Sequence, residues 1–431
     1  MLGQASVPLV GLVDTVVIGR TGDAAALAGV ALGATIIGLF FWTFGFLRMG
    51  MTGLTAQADG ADRTDEVAAL LVRGLAIGLG IGLILLALAW PLRELAFAVF
   101  SGGAATTAEA SSYVTMRFLG APAALAVYAA TGWLFGLGRT RAALALQLVM
   151  NAANVVFDLV LVFGFGLGAA GVGLGTAMAE WVAFATAIVL VIRISGAHPI
   201  ALARRTGSAV LFDRAELAKL FAVNRDLMIR TVALLILFAW FANAGARLGA
   251  VALAAQHVLM QFVNVAAFVL DAFAFTAEAR VGQAVGARSR ERLLRSIYLT
   301  AEFALVAGAA MAASFWLLGG EAIALITTDP AVREQAARYL PFAALVPLVG
   351  LPSWMLDGVF IGATRGRALR NAGVIATVLY VATDLMLRPL GALGVWLAMW
   401  AAYLYRAGGL ALALPALLRD TQPVEPDGRS D

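Results

Sequence analysis

Apolar runs of about twenty residues or more recur about twelve times along this chain, separated by short charged loops. A helix needs ~20 residues to cross the hydrocarbon core of a bilayer. Within lipid, only helices and closed barrels satisfy every backbone polar group. The runs are continuous and do not alternate, which excludes a barrel. The pattern predicts an all-α integral membrane protein with twelve transmembrane helices. They fall near residues 2–19, 25–53, 67–98, 108–137, 141–163, 170–193, 215–246, 251–280, 292–319, 333–363, 368–387 and 393–418. Composition agrees, since 62% of the 431 residues are hydrophobic and 13% are charged, unlike any water-soluble domain.

The sequence pI near 9.7 would suggest a nucleic-acid partner in a soluble protein. Here the excess arginine sits in short loops, where the positive-inside rule accounts for it. Arg63 and Arg73, Arg139 and Arg141, the segment 193–225, Arg288 to Arg295, and Arg365 to Arg370 all follow even-numbered spans. A multi-pass protein of the bacterial inner membrane with both termini cytoplasmic is expected, with the lipid bilayer as its partner and no nucleic acid. The chain has no cysteine and two histidines, His198 and His257, so no metal cluster and no cofactor are expected. There is no Ser/His pair, no HExxH and no Gly-Asp dyad motif of an intramembrane protease, which leaves an intramembrane enzyme a remote alternative.

One span carries a polar stripe. Between Leu144 and Gly164, the residues Gln147, Asn151, Asn154 and Asp158 follow one another at four, three and four positions, on one helical face. A carboxylate near mid-membrane costs roughly 2.5–3.5 kcal/mol even on the lenient insertion scale. Such a face either lines a polar cavity or forms an interhelical hydrogen-bond ladder. An ionisable residue is poor glue, which favours the cavity.

The chain also repeats itself. At a constant offset of 226 residues, Gln57 meets Gln283, Gly60 meets Gly286, Tyr113 meets Tyr339, Gly136 meets Gly362, Arg139 meets Arg365 and Asp158 meets Asp384. GWLFGLGRTR (132–141) overlays GVFIGATRGR (358–367) without a gap. This is an internal duplication of six spans. It predicts a six-helix lobe over 1–194, a basic cytoplasmic linker loop over 195–213, a second six-helix lobe over 214–419 and a disordered cytoplasmic tail over 420–431. With an even number of spans per half, the pseudo-two-fold lies along the membrane normal and the substrate path runs between the halves. Asp158 and Asp384 then belong each to its own lobe and do not form a catalytic dyad.

Several strings resemble the multidrug and toxic compound extrusion (MATE) transporters, and more closely their DNA-damage-inducible, DinF-like branch. They are PLVGLVDTVVIG (8–19), FWTFGFLRMGMTGLTAQADG (41–60), NVVFDLVLVFGFGLGAAGVGLGTAMAEW (154–181), NRDLMIRT (224–231), DAFAFTAEARVGQAVGA (271–287) and DGVFIGATRGR (357–367). The resemblance implies a V-shaped pair of six-helix lobes that exports organic, often cationic, small molecules by alternating access. The exchanged ion is H+ in preference to Na+, and the working unit is a monomer. A flippase for lipid-linked oligosaccharide or peptidoglycan precursor from the same superfamily is the nearest alternative. Such proteins tend to have additional spans and a strongly basic cavity. Two departures stand out: Met1 falls inside the first span, and Arg280 stands where the branch usually has an apolar residue. Arg280 is read as snorkelling to the cytoplasmic edge.

Residue by residue, the resemblance makes Asp14 the cation-coupling carboxylate. Kept from water, a carboxyl is switched between neutral and charged by small changes in hydration. Pro8, which lacks a backbone N–H, would supply a hinge. Asn154 and Asp158 match the family's second polar helix, and Thr176 and Glu180 lie one turn apart on the next span. Asp14, Asn154, Asp158 and Thr176 are therefore expected to form one cation-coupling site. Asn151, Gln147, Glu180, Met49, Met51 and Tyr128 would line the substrate cavity. Thioether side chains adapt to many shapes, although at helical spacing they are more often plain packing. In the second half, Asp271, Glu278, Asp357 and Asp384 are polar candidates, for coupling or for holding Arg280 and Arg388. Asp226 and Arg230, four apart, would form an ion pair near the cytoplasmic edge.

Overall fold

A computed structural model describes residues 7–100 and 102–421, with the side chains of all of these except 7–10 and 12. Among the described residues every regular element is helical. The first half runs α1 (Val7–Gly19), α2 (Ala24–Thr43), α3 (Phe46–Gly60), α4 (Thr64–Ala87), α5 (Ala89–Val99), α6 (Ala104–Phe118), α7 (Ala121–Gly136), α8 (Thr140–Leu159) and α9 (Gly168–Ser195). After α10 (Pro199–Leu211) come α11 (Arg214–Arg247), α12 (Ala250–Gly286), α13 (Arg290–Ile326), α14 (Pro330–Val349), α15 (Leu351–Gly362), α16 (Gly366–Leu387) and α17 (Ala392–Asp420). A single π-helical turn, Val160–Gly164, extends α8.

Ten described stretches are long and apolar enough to cross a membrane, and the pair α6 and α7, bent by 55°, makes an eleventh. The twelfth expected span is the first, of which α1 contributes 13 described residues. Pro8 lies in α1, but its side chain is outside those described, as is most of the expected tail.

Two expectations need correction. The third span does not run unbroken to residue 98, because α4 ends at Ala87 and α5 begins at Ala89. Pro91 explains the break, since proline is accommodated in a first helical turn and not in an interior. Nor is 195–213 a loop. His198 Nδ1 accepts the Ile200 N–H (3.3 Å) and Pro199 opens α10, which only Gly207 interrupts, at φ 78° and ψ 158°. This helix is held against α4. Arg73 donates from Nε to the Leu211 carbonyl (2.9 Å) and from Nη2 to that of Val210, while Glu66 accepts from Nη1 (2.7 Å).

By their contacts the described residues form two units. One takes in the chain up to Thr55 together with Arg63–Ala218. In it α4 packs closely on α7, where a Cβ on Gly78 would stand 2.6 Å from the Leu125 carbonyl oxygen and one on Gly82 would stand 2.3 Å from Pro122 Cα. Small residues allow this approach, as the glycine spacing of α4 predicts. The other unit takes in Ala56–Asp62 and the chain from Lys219 onward. Its core holds Phe241, Phe262, Tyr380, Trp396 and Tyr403, with Phe241 and Trp396 edge to face at 5.5 Å. Within it, the duplicated Gln and Gly positions meet reciprocally. A Cβ on Gly60 would stand 2.1 Å from the Gln283 carbonyl oxygen, and one on Gly286 would stand 2.1 Å from that of Gln57.

Candidate coupling site

The polar face of α8 grades inward. Gln147 and Asn151 are half-buried, with the Gln147 amide donating to Asn151 Oδ1 (2.9 Å), and Asn154 and Asp158 are buried. Asp158 fits because α9 carries glycine opposite it: a Cβ on Gly175 would stand 2.2 Å from Asp158 Oδ1. From α1, Asp14 reaches the same place, and from α9 so does Thr176.

One amide joins them. Asn154 Nδ2 lies 3.1 Å from Asp158 Oδ2, 3.1 Å from Thr176 Oγ1 and 3.4 Å from Asp14 Oδ1. The Thr176 hydroxyl donates to the Val172 carbonyl (3.0 Å), so toward Asn154 it acts as acceptor. Asp14 is 4% exposed and Asp158 is fully buried. Among the described residues neither carboxylate is ion-paired with an arginine or lysine. Asp158 Oδ1 and Asn154 Oδ1 accept no hydrogen bond from the protein. Two N–H groups thus face three acceptors, two of them carboxylates, where an unpaired charge is costly. A proton on either carboxyl turns it from an acceptor into a donor and relieves that shortage. No group of three His, Cys, Asp or Glu side chains among the described residues is arranged to hold a metal ion.

Glu180 departs from expectation. It does not line an open cavity but pairs with Arg117 of α6, 2.9 Å from Nη1 to Oε2, both side chains about 90% shielded. Gly120 makes room for it, since a Cβ there would stand 1.9 Å from Glu180 Oε2. The Arg117 guanidinium also lies over the Phe41 ring, 5.3 Å from its centre. Sequence reasoning missed Arg117. Its signal was an arginine inside an expected span, at the tenth residue of that span. Tyr128, half-buried, has Glu180, Arg117 and Arg48 as its charged neighbours. Met51 is corrected to packing, being fully buried between Gly74 and Gly132, while Met49 remains partly exposed.

In the second half, Asp271 is half-buried and Glu278 buried on α12. Asp357 and Asp384 do not hold Arg280 and Arg388. Asp357 sits between Arg230, which it pairs with directly, and Arg406 at 3.3 Å, whose Nη2 also donates to Ser353 Oγ (3.0 Å). Asp384 accepts from Trp240 Nε1 (2.8 Å) and Arg247 Nη2 (2.7 Å). The expected Asp226–Arg230 pair is absent because Arg230 turns inward, and Asp226 pairs instead with Arg370 (2.9 Å) and Arg225 (3.3 Å). Arg280 is exposed.

A family model described as MatE matches residues 1–160 and 227–386, two segments that start 226 residues apart, the offset of the internal repeat. The chain belongs to the MATE family of transporters. Its MATE relatives include the DNA damage-inducible protein F of Escherichia coli K12, 36% identical over 96% of this chain and 89% of that one. Another is a probable multidrug resistance protein NorM of Halalkalibacterium halodurans, 24% identical over 81% of this chain and 76% of that one. Among solved structures, a MATE transporter in the bent conformation has TM-score 0.86 at 18% identity, over 98% of this chain and 94% of that one. The MATE fold is thus shared across nearly the whole length.

Proposed function

We propose that this MATE-family chain is a secondary active efflux antiporter, exporting small organic and often cationic compounds in exchange for H+ in preference to Na+. The observation that carries this reading is the Asp14–Asn154–Asp158–Thr176 group, two buried carboxylates sharing one amide with no basic side chain paired to either. Such a group gains a donor when it takes up a proton, and it offers no cage of carbonyls for a metal cation. Protonation then changes how tightly α1, α8 and α9 are tied together. The packing around the half-buried Asn151 and Gln147 changes with it, with Pro8 as the hinge in α1. On this reading the chain works as a monomer in the bacterial inner membrane, with both termini cytoplasmic.

The drive follows from charge. Moving one elementary charge across the membrane is worth about 2.3 kcal/mol per 100 mV. One proton exchanged for a neutral compound uses that potential. One proton exchanged for a monovalent cation is electroneutral and runs on the pH gradient alone. The test is dye efflux in everted vesicles under a pH gradient or a sodium gradient imposed separately. Wild type should respond to the pH gradient and Asp14→Asn should not; equal pumping by Asp14→Asn would overturn the assignment.

A further inference from the structure

The repeat register carries the coupling group of the first half onto a second set of residues. At the same offset of 226, Asp14 corresponds to Trp240, Asn154 to Tyr380, Asp158 to Asp384 and Thr176 to Ala402. The second set is also assembled. Trp240 donates its indole N–H to Asp384 Oδ2 at 2.8 Å, and Tyr380 lies one turn before Asp384 on α16. Only the carboxylate survives the substitution. Its acidic neighbour has become an indole donor, and the amide has become a phenol.

A cation has been added in exchange. Arg247, the last residue of α11, places Nη2 2.7 Å from Asp384 Oδ2. The guanidinium is held on two further sides, by Asn243 Oδ1 at 3.0 Å and over the Trp240 ring at 5.8 Å. Its register partner in the first half is Thr21, an uncharged residue whose hydroxyl donates to the Ile18 carbonyl (2.7 Å). The groups facing Asp384 are thus Trp240 and Arg247 from α11 and Tyr380 from its own helix. The neighbouring Thr383 is bonded instead to Tyr405 of α17 (3.0 Å). Asp384 is 2% exposed, so the arginine is its charge partner in place of water.

We infer that Arg247 is a tethered substitute for the exchangeable cation in the second half's copy of the coupling group, so that this copy is silent and the first half alone sets the ion stoichiometry. The inference rests on the proposed coupling role of Asp14 and Asp158, and it assigns to Arg247 a determining role in how many ions are exchanged. A fixed guanidinium 2.7 Å from the carboxylate supplies, from the chain itself, the positive charge that an exchanged cation would bring. In the first half the same carboxylate position has no such partner.

The experiment uses the purified full-length chain, titrated for proton uptake across the neutral range and then reconstituted with a dye substrate under a pH gradient. Arg247→Gln should take up about one more proton per molecule than wild type, because Asp384 loses its tethered charge. Arg247→Gln with Asp384→Asn should return to the wild-type count and keep the wild-type proton-to-dye ratio and pH profile. Arg247→Met gives the same arm with the aliphatic stem retained if the glutamine variant does not fold. A wild-type proton count in the folded Arg247 single variants would overturn the inference. So would a changed ratio or pH profile in the folded double variant. Pumping by Asp14→Asn would instead sink the coupling role of the first half while leaving the proton count at Asp384 readable, so the two failures are distinct.

Discussion

Asp158 Oδ1 occupies the space that a side chain at Gly175 would fill, 2.2 Å from where its Cβ would stand. The carboxylate of α8 is thus seated in a notch of α9, with backbone on one side and Asn154 on the other. Gly175→Ala should push Asp158 away from Asn154 at a cost of about 1–3 kcal/mol, typical of overpacking. Efflux driven by a pH gradient should fall to the level of Asp158→Asn, while the protein still elutes as one species. Wild-type efflux from a folded Gly175→Ala protein would mean that the seat is not needed.

The amide of Asn154 holds two carboxylates that have no other charge partner. Asn154→Leu should lose about 1–3 kcal/mol of stability near neutral pH, the cost of leaving buried acceptors unmet. The deficit should shrink as pH falls, because a protonated carboxyl donates to its neighbour in place of the missing amide. Thermal unfolding in detergent at stepped pH checks this. A deficit that stays constant down to acid pH would show that the amide matters for something other than these carboxylates.

Arg117 and Glu180 are shielded together, so removing one strands the other. Arg117→Met should cost about 3–5 kcal/mol. Arg117→Met combined with Glu180→Leu should recover most of that loss, since replacing a whole buried pair by apolar residues is often neutral. The same melts read both variants, and a double variant no more stable than the single would refute the pairing.

Around Asp357 the order of effects is the prediction. Asp357→Asn leaves the guanidiniums of Arg230 and Arg406 facing each other without their shared anion. Arg230→Gln leaves one intact pair, Arg406 with Asp357. The loss of stability should therefore be larger for Asp357→Asn, at about 3–5 kcal/mol, than for Arg230→Gln. Unfolding midpoints in a denaturant series would settle the order.

Much of this architecture is visible in the residues. Span positions follow from hydropathy because each helix must match the bilayer by itself. The inward face of α8 follows from the spacing of Gln147, Asn151, Asn154 and Asp158, a property of one helix. Asp14 was different. Its place beside Asn154 came from likeness to a family, since nothing within α1 says which helix its carboxylate meets. The arginines show the same limit more sharply. Arg117, Arg230, Arg247 and Arg406 each find a partner on another helix, and a pair made across helices leaves no periodic mark in either. Asp226 and Arg230 illustrate the error that results, because spacing on one helix suggested a pair that a distant carboxylate displaced. The helix α10 escaped notice because a basic stretch between spans reads as loop until its capping His198 and Pro199 are weighed.

Arg73 fastens the end of α10 to α4, so the first half carries its own closing piece, made entirely of residues before Ala218. At translation rates of about 5–20 residues per second, the remaining half of the chain takes roughly 10–40 s to leave the ribosome. During that interval the polar group of Asp14, Asn154, Asp158 and Thr176 has every residue it requires already synthesised. The stretch Ala56–Asp62 does not, because its neighbours Gln283 and Gly362 are made later. A nascent chain arrested before residue 283 would therefore hold every residue of that polar group while the crossing of the duplicated glycines was still open.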